Sequence, residues 1–298
     1  MSFTARLDDP VCLDVRRFGG KAAGLARLAA EGMPVANGFA VDARARRRIG
    51  VDDAVREAYH RLSPHSDVPV AVRSSATAED SAATSFAGGF DTVVGVRGAD
   101  QVVEAVRRCW AGVSGERAVD YARVNGINPA TLSMGVVVQR MVRATTAGVM
   151  FTISPVTGDR SRIVVEASWG LGLTVVGGEV TPERWVVDKI ALSVLDHDPG
   201  DKRLEYREDG TPAVVDPARR VAPCLTDDQV LDLARLGKRL ERRLGGPQDV
   251  EFAVEDGVPV LLQCRPETVW SGKTQRSRFT PGQGAARWIT SVVSPGVS

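Results

Sequence analysis

The apolar positions of the N-terminal half follow helical and strand periods in turn. Val102, Val106 and Cys109 recur on one helical stripe, which predicts a helix around them. Gly32 and Pro34 end an earlier helical pattern, because glycine suits a left-handed cap and proline cannot continue a helix. The predicted helices are 20–31, 51–62 and 99–112, and the predicted strands lie near 38–41, 68–73 and 91–96.

The C-terminal half is dominated by predicted strands, and we expect them to form a second sheet. One helix is clear, because Thr226 and Gln229 form a capping box at its start and Gly245 ends it. The first four predicted strands lie near 134–142, 147–152, 162–168 and 183–189, and the pair QDVEFAV and VPVLLQCRP follows the helix. This mixture of elements predicts an α+β protein.

The last strand pair allows a register to be worked out. A three-residue loop at 255–257 would pair Val254 with Val258. One face then carries Asp249, Glu251, Gln263 and Arg265. The opposite, core face carries Val250, Phe252, Val254, Leu262 and Cys264. The polar face fits a metal–phosphate site, with a solvated face as the alternative. A two-residue loop would place Glu251 and Gln263 on opposite faces.

Composition and charge narrow the classes of protein. The 298 residues carry 38 Lys and Arg against 37 Asp and Glu, a formal net charge of +1, so no large positive field for nucleic acid or anionic lipid is expected. The longest apolar runs fall far short of the roughly 20 residues that span a bilayer, and the N-terminus lacks a signal peptide's apolar core. The four cysteines form no C-x-x-C pair. We expect a cytoplasmic protein without a membrane or nucleic-acid role, disulfides or structural zinc.

Two short segments carry residues that suit a phosphate. GGKAAG, residues 19–24, places Lys21 at a predicted helix start, where free N–H groups and the helix dipole favour an anion. The alternative is that the glycines only form a tight turn, since the spacing does not match the G-x-x-x-x-G-K-[ST] loop. Arg73 ends a predicted buried strand, and its planar fork suits a phosphate. The alternative is that Arg73 forms an ion pair with Glu79 or Asp80 in a solvated loop.

The order of these segments resembles a known family. The motifs are GGKAAGL, VRSSATAED with SFAG and DT, VVVQRMV, GVMFT with PVTGDRS, EASWGLG, and QDVEFAV with LLQCRPET. Together they resemble the nucleotide-binding N-terminal domain of the phosphoenolpyruvate synthase, pyruvate phosphate dikinase and rifampin phosphotransferase family. The resemblance implies an ATP-grasp fold, in which two α+β subdomains clamp ATP. We divide the chain accordingly into an N-terminal subdomain, 1–138, a C-terminal subdomain, 139–270, and a linker-like tail, 271–298.

The resemblance also implies which residues hold the phosphates of ATP. Lys21, Arg73 and Arg265 are expected to bind them and to act in catalysis. Gly88 and Thr92 are expected in the loop that covers the phosphates. Such a site is physically sensible, because phosphoryl transfer depends on charge neutralisation and in-line positioning more than on covalent chemistry from the protein.

The remaining implied site residues concern the base and the metal. Gln139 is expected beside the adenine, and Glu251 and Gln263 are expected to bind Mg²⁺. Two positions depart from the family pattern. Gly89 and Phe90 follow SFAG where a polar pair is usual, and Leu173 follows WGLG where Glu is usual. Loop contacts near the phosphates are therefore expected to differ.

The family's chemistry needs parts whose signatures this sequence lacks. In the family, ATP phosphorylates a histidine on a swivelling domain, AMP and phosphate are released, and a third domain binds the acceptor. His60, His65 and His197 lack the context of that histidine. The resemblance therefore implies an ATP-using component that phosphorylates a histidine on a partner protein, for delivery to pyruvate or another small acceptor bound by a further subunit. Two alternatives are a noncatalytic nucleotide-sensing subunit and a stand-alone small-molecule kinase or ATP-grasp ligase.

Overall fold

The computed structural model describes residues 2–77, 92–112 and 133–270. Its first half contains β1 (Thr4–Arg6), α1 (Val15–Ala30), β2 (Gly38–Val41), α2 (Val51–Leu62), β3 (Val70–Ala76), β4 (Thr92–Val96), α3 (Ala99–Gly112) and β5 (Met134–Arg140). These strands form an antiparallel sheet in the order β1-β2-β5-β3-β4. We call it the first sheet.

The second half contains a larger antiparallel sheet. Its elements are β6 (Thr146–Phe151), β7 (Arg162–Trp169), α4 (Leu173–Val176), β8 (Glu183–Asp188), β9 (Ser193–Asp198), β10 (Leu204–Tyr206), β11 (Pro212–Val214), α5 (Pro217–Val221), α6 (Asp227–Leu244), β12 (Gln248–Glu255) and β13 (Val258–Pro266). Six strands form the second sheet, in the order β13-β12-β6-β7-β8-β9, and β10 pairs with β11 alone. The α+β class that the sequence predicts is confirmed.

Helices cover one face of each sheet. Tyr59 of α2 and Val102 of α3 are fully buried in the core of the first sheet. Leu233 of α6 and Phe252 of β12 are fully buried in a second core, which also contains Leu25 of α1. Burying a side chain of this size stabilises the fold by about 1.5–3 kcal/mol. Helix α1 contacts β3 and β5 of the first sheet and β13 of the second, so it joins the two halves.

The helix signals of the sequence are confirmed with one correction. Helices α2 and α3 have the predicted bounds, whereas α1 begins at Val15 and not at residue 20. The earlier start follows from Asp14, whose side chain accepts a hydrogen bond from Arg16 N at 3.0 Å and caps the helix. Gly19 interrupts α1 with φ 80°, so the predicted start at residue 20 coincides with a kink.

The capping box of α6 is also confirmed. The Thr226 hydroxyl accepts from Gln229 N at 3.3 Å, and Gln229 Oε1 accepts from Thr226 N at 2.9 Å. Gly245 ends the helix with φ 81°. Strands β1, β9, β10 and β11 were not predicted, because they are short or exposed and lack the buried alternation that identifies a strand.

The predicted three-residue loop of the last hairpin is wrong. Asp256 and Gly257 form a two-residue turn, and Glu255 therefore pairs with Val258. Both turn residues have positive φ, at 51° and 81°. This conformation matches the right-handed twist of the two strands, which explains why the shorter turn forms.

A β-bulge restores the alignment that a two-residue turn alone would destroy. Beyond the bulge, Glu251 pairs with Gln263, so their side chains share one face as predicted. Leu262 is the extra residue of the bulge, and the prediction that it lies in the core is also corrected. Leu261 is fully buried instead, whereas Leu262 is only partly buried.

The two sheets are joined by a short connection. The first sheet ends at Arg140 and the second begins at Thr146. The subdomain limits 1–138 and 139–270 stay a prediction, and the tail 271–298 lies outside the described residues.

Candidate functional site

A cleft of about 140 Å³ lies between the two sheets. The first sheet lines it with Arg73, Thr92 and Gln139, and the second sheet lines it with Glu251 and Leu262. Four residues that the sequence places in the site therefore share one cleft, although they come from four different strands.

Arg73 connects the two sheets across this cleft. Its Nη2 donates to Glu251 Oε2 at 2.5 Å and to Gln263 Oε1 at 3.1 Å, and its Nη1 donates to the Leu262 carbonyl at 3.1 Å. The Arg73 side chain is 13% exposed, and its Nε is buried without a hydrogen-bond partner in the described part of the chain. Glu79 and Asp80, the alternative partners, lie outside that part. The arginine fork thus faces the same oxygens that the sequence assigns to a metal.

Glu251 is a charged group in a mostly buried setting. Its side chain is 22% exposed. Burial by itself raises the pKa of the Glu251 carboxyl. The charge and hydrogen bond of Arg73 outweigh that effect, with Lys21 and Arg265 adding to it, so this pKa lies below its ordinary value. Glu251 is therefore an ionised oxygen donor at neutral pH.

The next cross-strand pair on the same face of the hairpin forms a second ion pair. Arg265 lies opposite Asp249 and meets its Oδ2 through Nε at 2.8 Å and through Nη2 at 2.6 Å. Burial raises the pKa of Asp249, and the charge of Arg265 opposes this rise. Arg265 is half exposed at 47%, so its guanidinium remains open to solvent.

The glycines of GGKAAG permit close packing around Lys21. A Cβ on Gly19 would lie 2.0 Å from the Ser75 carbonyl oxygen, and one on Gly24 would lie 2.8 Å from the Cys264 carbonyl oxygen. Ala22 N donates to Ser75 Oγ at 3.3 Å, so β3 caps the segment after the kink. Packing therefore explains the glycines. It also brings Lys21 close enough to Glu251 to lower the pKa of that carboxyl.

Gln139 and Thr92 line the cleft, whereas Lys21, Gln263 and Arg265 do not belong to its lining. Gln139 is 2% exposed, and its Nε2 donates to the Ala36 carbonyl at 3.3 Å. Thr92 is exposed and pairs with Arg73 across β3 and β4. Gly88, with its neighbours 89 and 90, lies outside the described residues.

One end of the cleft is apolar, and the sequence did not predict it. Met141 and Val142 line it from the connection between the sheets, and Leu173 and Val176 line it from α4. Helix α4 begins directly after Gly172, which has a φ of 76° and offers no side chain to cap the helix. The glycines around this segment are typical of turns, although the apolar run LTVV was an available helix signal. We call the part of the lining formed by these four residues the apolar end, and the part formed by Arg73 and Glu251 the charged end.

Other features of the described residues limit what the site can be. They contain no group of three or more His, Cys, Asp or Glu side chains arranged to hold a metal ion. A metal here would need the amide oxygen of Gln263 or oxygens from a ligand in addition to Glu251. A search of the same residues finds no helix with the length and hydropathy to cross a bilayer. All four cysteines are buried, and none is joined to another in a disulfide.

Comparison with known proteins identifies related sequences. Residues 49–283 match the family described as pyruvate phosphate dikinase, AMP/ATP-binding domain. A probable phosphoenolpyruvate synthase of Methanothermobacter thermautotrophicus is 36% identical over 93% of this chain and 48% of its own length. The prodigiosin synthesizing transferase PigC of Serratia marcescens is 36% identical over 90% of this chain and 33% of its own length. The chain thus spans half or less of the length of these relatives.

Solved structures give a weaker similarity. A dinucleotide-forming acetyl-coenzyme A synthetase of Ca. Korarchaeum cryptofilum is 10% identical, with a TM-score of 0.45 over 84% of this chain and 93% of the other. Similarity at this level does not identify a function.

Proposed function

Because the chain belongs to the pyruvate phosphate dikinase AMP/ATP-binding domain family, we propose that it is the ATP-binding component of a dikinase-type phosphotransferase. Its α+β fold is of the ATP-grasp type, with the cleft between two antiparallel sheets. In the proposed reaction, a histidine on a partner protein takes the β-phosphoryl group of Mg-ATP and AMP leaves, while water takes the γ-phosphate, which is released as phosphate. The phosphoryl group then passes to pyruvate or another small acceptor bound by a further subunit.

The observation that carries this proposal is the Arg73 contact across the cleft. One guanidinium nitrogen, Nη2, meets both Glu251 Oε2 and Gln263 Oε1. These oxygens therefore converge on one positively charged group. Carboxylate and amide oxygens are also the ligands that Mg²⁺ accepts in nucleotide sites, so the donor set fits this ion. Glu251 and Gln263 would hold it, and the ion would supply neutralisation of the phosphate charge.

The chain's own cations have a complementary role in this proposal. Arg73, Lys21 and Arg265 all lie close enough to Glu251 to lower the pKa of its carboxyl, so three cations stand near the proposed metal ligand. When a triphosphate binds, Arg73 exchanges the Glu251 carboxylate for a phosphate oxygen, and its fork fixes the direction of that phosphate. Lys21 and Arg265 neutralise further oxygens. Positioning and electrostatics then provide the catalysis.

The proposed acceptor histidine comes from outside the cleft. His60, His65 and His197 lie in the described residues, and none lines the cleft. His197 Nε2 is held by Glu183 Oε1 at 2.7 Å and stacks on Trp185. The limited length shared with the relatives is consistent with a histidine carried elsewhere. We place the proposed reaction in the cytoplasm, where cysteine thiols such as these stay reduced.

Nucleotide binding and product analysis test the proposal. Calorimetric titration should detect Mg-ATP binding, and the thermal midpoint should rise, because a ligand at about a hundred times its Kd stabilises by about 2.7 kcal/mol. ATP labelled at the β-phosphate should transfer label to a histidine of a partner protein, with AMP and phosphate as products. ADP as product would favour the stand-alone kinase or ligase, and binding without turnover would favour the nucleotide-sensing subunit. No binding at millimolar nucleotide would refute the proposal.

A further inference from the structure

The connection between the two sheets forms part of the cleft wall. Residues 141–145, which we call the linker, join β5 to β6. Met141, Val142 and Ala144 of the linker face the apolar end of the cleft. The position of the linker therefore decides the shape of that end.

On one side, the linker is attached to the first sheet through backbone hydrogen bonds. Met141 N donates to the Pro69 carbonyl at 2.9 Å, and the preceding Arg140 N donates to the Asn37 carbonyl at 2.7 Å. These bonds hold the beginning of the linker. They do not reach Arg143 or Thr145, which are held from the second sheet.

Glu255, at the tip of the β12–β13 hairpin, holds the linker from the second sheet. Its Oε2 accepts from Arg140 Nη2 at 2.8 Å, and its Oε1 accepts from Arg143 N at 2.9 Å. The carboxylate is 15% exposed. The hydrogen bonds from Arg140 and from the Arg143 backbone lower the pKa of Glu255 to about 2. One ionised side chain thus contacts the last residue of the first sheet and the backbone of the linker.

Glu255 reaches the linker because the turn has two residues. Asp256 and Gly257 alone separate it from Val258, so Glu255 is the last paired residue of β12. The adjacent Val254 carbonyl accepts from Thr145 N at 3.0 Å and continues the attachment. The hairpin therefore supplies metal-site oxygens further along the same strands and a linker contact at its tip.

We propose that Glu255 is a positioning residue for the nucleotide, which acts by holding the linker against the apolar end of the cleft, where the base binds. This inference rests on the proposed function. A carboxylate suits this place because its two oxygens serve the Arg140 guanidinium, the Arg143 backbone N–H and the Arg143 guanidinium, whose Nε lies 3.5 Å from Oε1. Glutamine offers one acceptor oxygen, so Glu255→Gln should release the contacts of the other oxygen while it retains the side-chain shape.

The experiment compares AMP with Mg-ATP, because both ligands share the base but differ in their phosphates. Glu255→Gln should weaken the binding of both ligands by a similar factor, about tenfold. This is the effect expected when a charge-assisted hydrogen bond that orders the linker is lost. Glu251→Gln should weaken the binding of Mg-ATP and leave the binding of AMP nearly unchanged. Calorimetric titration gives the four dissociation constants.

Asp188→Asn is the matched control. Asp188 also accepts from one arginine, Arg162 Nη1 at 2.7 Å, and from backbone N–H groups, including Ala191 N at 2.8 Å, but it lies away from the cleft. Its substitution should leave both dissociation constants within about twofold, since it removes comparable bonds from a different place. Hydrogen exchange at the Arg143 amide should accelerate in Glu255→Gln and not in Asp188→Asn.

The possible outcomes separate this inference from the proposed function. If the parent protein binds neither AMP nor Mg-ATP, both fail. If the parent binds both ligands and Glu255→Gln binds them as Asp188→Asn does, the positioning role is refuted while the proposed function stands. Should Glu255→Gln not fold, Glu255→Asp, which keeps both oxygens on a shorter side chain, replaces it. An AMP affinity equal to that of the parent in this variant, with an accelerated Arg143 amide, would also refute the inference.

Discussion

Two glutamates of the second sheet are each held by a cation, but the partners come from different places. Glu183 is fully buried, and so is its partner Lys202, whose Nζ lies 2.9 Å from Glu183 Oε2. The same oxygen accepts from Cys224 N at 2.8 Å, and Oε1 lies 2.7 Å from His197 Nε2. All of these partners belong to the second half of the chain. Glu251 meets Arg73, which belongs to the first sheet, and remains partly exposed.

The comparison separates a structural carboxylate from one that is suited to a ligand. The oxygens of Glu183 are surrounded by partners in its own half, so exchange of any partner would leave a buried charge unpaired. Glu251 faces a cleft that solvent reaches, and its cation can exchange the carboxylate for another anion. The predictions below test whether this difference in setting is also a difference in role.

Glu183→Gln is one of the two substitutions with the largest expected effect on stability. It should lower the free energy of unfolding by about 3–5 kcal/mol, because Lys202 is left as a buried charge without its counter-ion. Adding Lys202→Met should recover part of that loss, since it removes the unpaired charge. Urea denaturation measures both variants. A loss below 1 kcal/mol for the single variant would contradict the structural role.

The two faces of β12 should respond differently to substitution. Phe252 is fully buried, so Phe252→Ala should cost about 3–5 kcal/mol as a large-to-small core change. Glu251→Gln, on the cleft face, should cost no more than about 1 kcal/mol while it weakens Mg-ATP binding. Denaturant midpoints and Mg-ATP titrations distinguish the faces. The reverse ranking of stabilities would mean that the register, and the metal site derived from it, is wrong.

Arg73→Lys should affect turnover more than stability. Lysine keeps the positive charge but lacks the planar fork that meets two oxygens at once. We expect about a hundredfold lower turnover with the partner protein, as for the loss of a strong charge-assisted contact, and a retained fold. Turnover is followed as AMP release, and circular dichroism checks the fold. Activity near that of the parent would show that charge alone suffices at this position.

The smallest expected effect is the pH dependence of stability that Glu255 contributes. The pKa of Glu255 is lowered from 4.5 to about 2 in the folded protein. A lowered pKa means that the stabilisation is fully present above the unfolded value and is lost as the pH falls from about 4.5 towards 2. Denaturant midpoints measured across this range should fall more steeply for the parent than for Glu255→Gln. Parallel curves would indicate that the Arg140 and Arg143 contacts do not stabilise the ionised form.

Local sequence signals account for much of the fold. Two local signals predicted helices that the structure confirms. They are the apolar stripe that contains Val102 and Val106, and the capping box that begins at Thr226. These signals are reliable because hydrogen bonds and side-chain neighbours within a helix are three or four residues apart. The α4 segment was missed, since its one-turn helix carries no cap and its glycines are typical of turns.

The sequence by itself determined the α+β class, the main helices and, through its family motifs, the set of residues that includes Arg73, Glu251 and Gln263. Tertiary structure decided how they meet. Arg73 and Glu251 are 178 positions apart, and their contact depends on the packing of two sheets. The bulge at Leu262 and the two-residue turn at Asp256 decided the register, since each shifts the pairing by a residue. No local pattern encodes such long-range pairings, because their free energy arises only when both partners are already folded.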